Sequence, residues 1–131
     1  MTLDRIQQPD TSGIEVQYAD VWLPQDVYAP LQRVLQSAAE NYGEVDPSIL
    51  NMDETRVKQL SGVLGNAAFD KKDGYNISLT NFDMIAFEAV CIYAEEFFGD
   101  LGGAEKLQMS PPDITALTEK LVKYRLVAFP V

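Results

Sequence analysis

Thr80-Asn81-Phe82-Asp83-Met84-Ile85-Ala86-Phe87-Glu88-Ala89-Val90-Cys91-Ile92-Tyr93-Ala94-Glu95-Glu96-Phe97-Phe98-Gly99 is the stretch on which the fold turns. Thr80 places a hydroxyl at a cap position and Asp83 an acid three residues on, a close relative of the capping box that satisfies the first free N–H groups of a helix. The spacing predicts a helix from Asn81 to about Phe98, stopped by Gly99. Few polar positions interrupt it. A helix apolar on nearly every side must be covered on nearly every side, so the segment is the central core helix or one with a face reserved for a partner. As part of a central core helix, Ile85 and Ala89 are expected to be core residues, and Asp at either would unfold the domain.

Upstream, Lys71-Lys72-Asp73-Gly74 is a turn signal between Ala67-Ala68-Phe69 and Tyr75-Asn76-Ile77-Ser78-Leu79, consistent with a short hairpin or with a plain loop between helices. Ile49, Met52, Val57, Leu60 and Leu64 repeat at helical steps, with Asp53 and Glu54 suited to a helix start. Val27, Leu31, Val34, Leu35, Ala38 and Tyr42 do so more cleanly, from Asp26 to a stop at Gly43, with Pro30 tolerated in a first turn. Ahead of them, Ile14-Glu15-Val16-Gln17-Tyr18 alternates with period two and reads as the clearest strand; the alternation falters at Ala19-Asp20, where a bulge fits, and resumes at Val21-Trp22-Leu23 before Pro24. Residues 1–13 read as a flexible arm.

Downstream, Ser110-Pro111-Pro112-Asp113 repeats the start signals, and Ile114, Leu117, Leu121 and Tyr124 mark a buried stripe. Leu126-Val127-Ala128-Phe129-Pro130-Val131 is unusually apolar. The expected fold is one domain over 1–131, mainly α with about four helices and a short N-terminal strand or hairpin, or α+β with a small sheet.

Composition narrows function more by exclusion than by indication. With no histidine there is no imidazole base, no Ser-His or Cys-His pair and no His-ligated metal; a lone cysteine, Cys91, forms no disulfide within the chain and no cysteine metal cluster. The cysteine usage and the absence of an apolar leader in Met1 to Gln8 fit a cytoplasmic protein, and no run is long enough to span a membrane. Twenty Asp and Glu stand against ten Lys and Arg, a formal charge of −10, so direct nucleic-acid binding would work against the protein's own field. A basic protein partner is favoured instead.

The stretch Asp70 to Asn81 has a distant likeness to a calcium-binding loop, but Lys72, Gly74 and Tyr75 stand where ligands and the turn glycine are needed, so no metal or cofactor is expected. The glycine pairs at Gly62/Gly65 and Gly102/Gly103 lack the Lys-Ser/Thr ending of a phosphate loop. Glu95 and Glu96 diverge by about 100° on a helix, while Glu88 and Glu95 share a face two turns apart, which reads as a solvated stripe. These acids sit where the helix dipole disfavours them, which suggests a cationic neighbour such as Lys106 or another protein. Cys91 reads as core, and Tyr75, Tyr93, Tyr124 and Trp22 as core margin or interface anchors.

The expectation is therefore a non-enzymatic, acidic protein–protein interaction module, an inhibitor, immunity-type or adaptor protein docking on a basic surface. Its partner-binding candidates are Glu88, Glu95, Glu96, Asp100, Trp22 and Phe129. The alternatives are an assembly subunit forming homo-oligomers through the central helix and the C-terminal tail, and a small carboxylate-dependent enzyme.

Overall fold

The computed structural model describes residues 16–70 and 73–130. The expected arm at 1–13, the start of the expected strand at Ile14-Glu15, the turn residues Lys71-Lys72 and the terminal Val131 lie outside the described residues. The chain runs β1 (Tyr18–Pro24), α1 (Gln25–Glu40), a 3-10 turn (Tyr42–Glu44), α2 (Pro47–Leu50), α3 (Glu54–Gly65), β2 (Ala68–Asp70) and β3 (Gly74–Thr80). It continues through α4 (Asn81–Glu96), a 3-10 turn (Phe98–Leu101), α5 (Gly103–Leu107) and α6 (Pro111–Ala128). The architecture is mainly helical with a small antiparallel sheet in the order β1-β3-β2.

The sheet settles the uncertain middle of the sequence. Strand β2 pairs antiparallel with β3, as the hairpin reading expected, and β1 pairs along β3 from Tyr18↔Thr80 to Pro24↔Gly74 without a bulge. The strand thus starts at Tyr18, later than the expected Ile14, and runs through the expected Val21-Trp22-Leu23 to Pro24. Pairing explains the shift. Val21 faces Ile77 across the ladder, and these two with Leu23 and Leu79 form the buried side of the sheet, so burial fixes the register that alternation alone misplaced. Gly74 is needed by close approach: a Cβ there would stand 2.5 Å from Trp22 Cε2 and Cζ2 and 2.7 Å from the Leu23 carbonyl oxygen.

Helix α1 starts at Gln25, whose N–H donates to the Asp73 carbonyl (3.1 Å), so Pro30 falls in the second turn, where it has no N–H for the Asp26 carbonyl. Val27, Leu31, Val34, Leu35 and Ala38 form its buried stripe. The ring of Tyr28 stacks on Tyr75 (centroids 3.8 Å apart) and its hydroxyl donates to the Leu64 carbonyl (2.8 Å), tying α1 to both β3 and α3. The second helical pattern divides in two. Asp46 caps α2, Asn51 ends it in the left-handed region (φ 60°), and Asp53 caps α3 by accepting from the Arg56 N–H.

The capping boxes read at Thr80/Asp83 and Ser110/Asp113 are both formed. Helix α4 stops at Glu96, two residues short of the expected end, and the chain tightens into the 3-10 turn. Helix α1 packs against α3, α4, α5, α6 and both long strands, while α4 lies chiefly against α6 and α1, so α1 shares the role of hub that the sequence assigned to α4 alone. The buried apolar residues of sheet and helices join in a single core.

Candidate functional site

Helix α4 carries four of the acids that matter, and the structure separates them. Glu88 is buried, not part of a wet stripe: Arg125 of α6 donates to it through both Nε and Nη2, the latter at 3.3 Å. Asp83, at the first turn, pairs with Arg56 (3.1 Å) while completing its capping box. Glu95 is half-buried and Glu96 exposed, and neither makes an ion pair among the described residues. Lys106, the cation expected to meet them, pairs with Glu40 instead (3.5 Å).

Beyond the end of α4, Asp100 accepts a hydrogen bond from the Tyr93 hydroxyl (3.0 Å), which in turn accepts from the Asp46 N–H (2.9 Å). Burial raises the Tyr93 pKa, and the hydrogen bond to Asp100 and the negative charges of Asp100 and Asp46 add to that, so the phenol stays protonated and keeps donating.

Of the six expected docking residues, Glu96 is exposed, Glu95, Asp100 and Trp22 are half-buried, and Glu88 and Phe129 are buried. Phe129 packs into the core at the end of α6, so its aromatic surface is used internally. The Trp22 indole lies over Gly74 at the rim of a shallow depression of about 460 Å³ lined also by Pro24, Gln25, Asp26 and Asp73; its Nε1 is buried and has no hydrogen-bond partner among the described residues. Cys91 is fully buried, and burial pushes its thiol up to about 12, with the Glu88 charge adding to the shift.

The sequence allowed α4 a face reserved for a partner and marked the apolar C-terminal tail, but did not say which residues of α4 form that face. Ile85 is 41% exposed and Ile92 48%, whereas Met84, Phe87, Val90 and Cys91 on the same helix are at 0%. This overturns the placing of Ile85 in the core; Ala89 is half-buried between the two isoleucines. On α6, Leu126 is 44% exposed and Val127 80%. The seven-residue spacing of Ile85 and Ile92 was the available signal, masked by apolar residues all round the helix.

A second cavity, of about 260 Å³, brings Asp26 and Asp113 together with Arg33 and Lys120 between α1 and α6. Its groups are engaged: Asp26 with Lys120 (3.4 Å), Arg33 Nε with the Leu107 carbonyl (3.1 Å), and Asp113 in its capping box. Hydrogen bonds from Ser110 hold the Asp113 carboxyl below the usual carboxylate range, which leaves it ionised and a poor proton donor. The cavity is also smaller than most small-molecule sites, which run from about 300 Å³ upward.

Among the described residues no group of three or more His, Cys, Asp or Glu side chains is placed to hold a metal ion, and no helix is long and apolar enough to cross a membrane. No family model, curated protein or solved structure matches the chain.

Proposed function

We propose that the protein is an acidic protein–protein interaction module, of inhibitor, immunity-type or adaptor kind, that docks on a basic partner in the cytoplasm. One observation carries the reading: the described residues hold seventeen acids and seven bases, and five of those bases are already held in ion pairs with Asp83, Glu54, Glu40, Asp26 and Glu88. Internal pairing therefore consumes most of the positive charge and leaves the acid excess at the surface. An exposed carboxylate is hydrated at little cost in the free protein and is available to a partner's Lys or Arg, so such a surface steers association and sets specificity. Glu95 and Glu96 supply part of it at the end of a helix whose dipole is also negative there.

Affinity capture from the native host at low salt tests this. The expected result is a basic protein retained by the wild-type chain, released as salt rises from about 0.05 to about 0.5 M, and lost with Glu95→Lys/Glu96→Lys. A partner held equally at high salt, or equally by the charge-reversed chain, overturns the acidic-docking reading.

The exposed apolar residues favour a second reading, self-assembly through α4 and the end of α6. Light scattering separates the two: a concentration-independent oligomer that dissociates when Ile85 and Ile92 are replaced by Asp supports the assembly subunit.

A further inference from the structure

We infer that the outer face of the α4/α6 pair is the docking surface, and that its occupant is a basic amphipathic helix of another protein. The inference rests on the interaction-module reading and names the site and partner within it.

The face follows from helix geometry. The two helices run antiparallel, because Glu88 meets Arg125 while Cys91, three residues further along α4, meets Thr118, seven residues back along α6. At about 100° per residue, Ile85, Ala89, Ile92 and Glu96 lie about 40–100° round α4 from Glu88, and Thr115, Glu119, Val122 and Leu126 lie about 60–120° round α6 from Arg125. Antiparallel right-handed helices turn in opposite senses when viewed from one end, so both stripes face the same side of the pair. Burial agrees. Met84, Phe87, Cys91 and Ala94 on α4, and Ile114, Leu117 and Leu121 on α6, are buried on the opposite side, while Ile85, Ile92 and Leu126 are exposed and Ala89 and Val122 half-buried.

The face is thus a strip of Ile85, Ala89, Ile92, Val122 and Leu126, with the Glu88–Arg125 pair between the helices. Ile85 to Ile92 is two helical turns, about 10 Å, which suits two or three turns of a partner helix presenting apolar residues at three- and four-residue steps.

Charge chooses the occupant. Glu96 and Glu119 border the strip at its Ile92 end; of the two bases near it, Arg125 is already held by Glu88, and Lys123 lies about 40° further round α6 than Glu119, at the outer edge of the face. Lys or Arg flanking the partner's apolar stripe would meet these carboxylates. A second copy of a chain with charge −10 would instead bring like charge against like.

The test uses a labelled peptide of about 14 residues built from Leu and Lys, with leucines at helical three- and four-residue spacing, against a scrambled peptide of the same composition. The full chain is expected to bind the patterned peptide about tenfold or more tightly than the scrambled one by fluorescence anisotropy. Ile85→Asp/Ile92→Asp should remove that preference, Glu96→Lys/Glu119→Lys should weaken binding and flatten its salt dependence, and amide shifts in the wild-type chain should cluster on α4 and α6. The shift map keeps the test independent of how well the variants fold.

Salt-sensitive binding whose shifts centre elsewhere, around Asp46 and Asp100 for example, and which survives Ile85→Asp/Ile92→Asp, overturns this face while the acidic module stands. A dimer abolished by the same substitutions overturns the basic-helix occupant. Failure of both peptides to bind in a salt-dependent way overturns the inference and the module together.

Discussion

Phe87 and Ile85 lie two residues apart on α4 and share a chemistry, yet Phe87 is sealed in the core and Ile85 is 41% exposed. The acids of the same helix divide likewise: Glu88 is buried against Arg125, and Glu96 stands in solvent with no cation paired to it among the described residues. In both pairs the inner member lies on the side where α1 and α6 pack, and the outer member on the side that no described element covers. Composition therefore does not decide which side of this helix is core. The neighbours do, and the uncovered side keeps apolar groups and acids together.

The sharpest way to break the comparison is truncation on each side. Phe87→Ala should cost about 3–5 kcal/mol, because a fully buried ring leaves a cavity that the surrounding side chains fill only in part. Ile85→Ala should cost less than about 1 kcal/mol, since much of its surface is already in water. Urea denaturation of the two variants reads the difference directly, and equal losses would mean that the two faces are not distinct. Ile85→Asp, expected from sequence to unfold the chain, should leave the folded population intact by circular dichroism.

Next in size is the inner acid. Glu88→Gln keeps the shape but removes the charge that Arg125 faces in a largely buried site (side chains 11% and 25% exposed), and should cost about 2–3 kcal/mol in the same urea assay. A cost below about 0.5 kcal/mol would show that the pair behaves as an exposed one.

How much of this was legible in the sequence depended on range. Thr80/Asp83 and Ser110/Asp113 act over three residues, so both capping boxes, and with them the starts of α4 and α6, could be read directly. The pairing of β2 with β3 carried its turn signal in Lys71-Lys72-Asp73-Gly74, although a loop fitted the sequence as well. The N-terminal strand was read correctly through Val21-Trp22-Leu23 to Pro24, but its start was placed too early, because alternation in Ile14 to Tyr18 is a local pattern whereas the register of β1 is set by Ile77 and Leu79, more than fifty residues away. For the same reason nothing near Glu88 announced Arg125, 37 residues on, and the pair turned a supposed wet stripe into a buried contact. Helical periodicity defines faces; it does not say which neighbour covers each one. Ile85 and Ile92, seven residues apart among apolar residues on every side, were therefore not marked out as the exposed ones.

Cys91 sharpens the inner side through pH. Its folded pKa is raised from 9.0 to about 12 by burial, so the folded state holds the thiol proton more tightly than the unfolded chain does. That contribution is fully present below pH 9 and is lost progressively as the pH rises from there toward 12, at up to about 1.4 kcal/mol per pH unit. Tyr28 and Tyr93, also raised mainly by burial, add a loss of the same sign from about pH 10. Cys91→Ala should flatten the first part of this alkaline decline in thermal melts, and the native thiol should resist alkylation at pH 8, where thiolate is scarce. Rapid alkylation of the folded protein at that pH would contradict the sealed inner face.

The smallest expected effect tests the outer side. Glu96→Gln removes a negative charge from the last turn of α4, where the dipole opposes it, and should leave stability unchanged or raise it by about 0.3–1 kcal/mol. No cation among the described residues loses a partner in the process, in contrast to Glu88→Gln. If the acid is there for docking, the same substitution should lower the association rate with the basic partner at low salt, and the deficit should shrink as salt screens the interaction. A gain in stability joined to a loss in association rate is the signature of a residue kept for binding at a local cost to the fold. A loss of stability with unchanged association would assign Glu96 to the fold and move the acidic contact elsewhere.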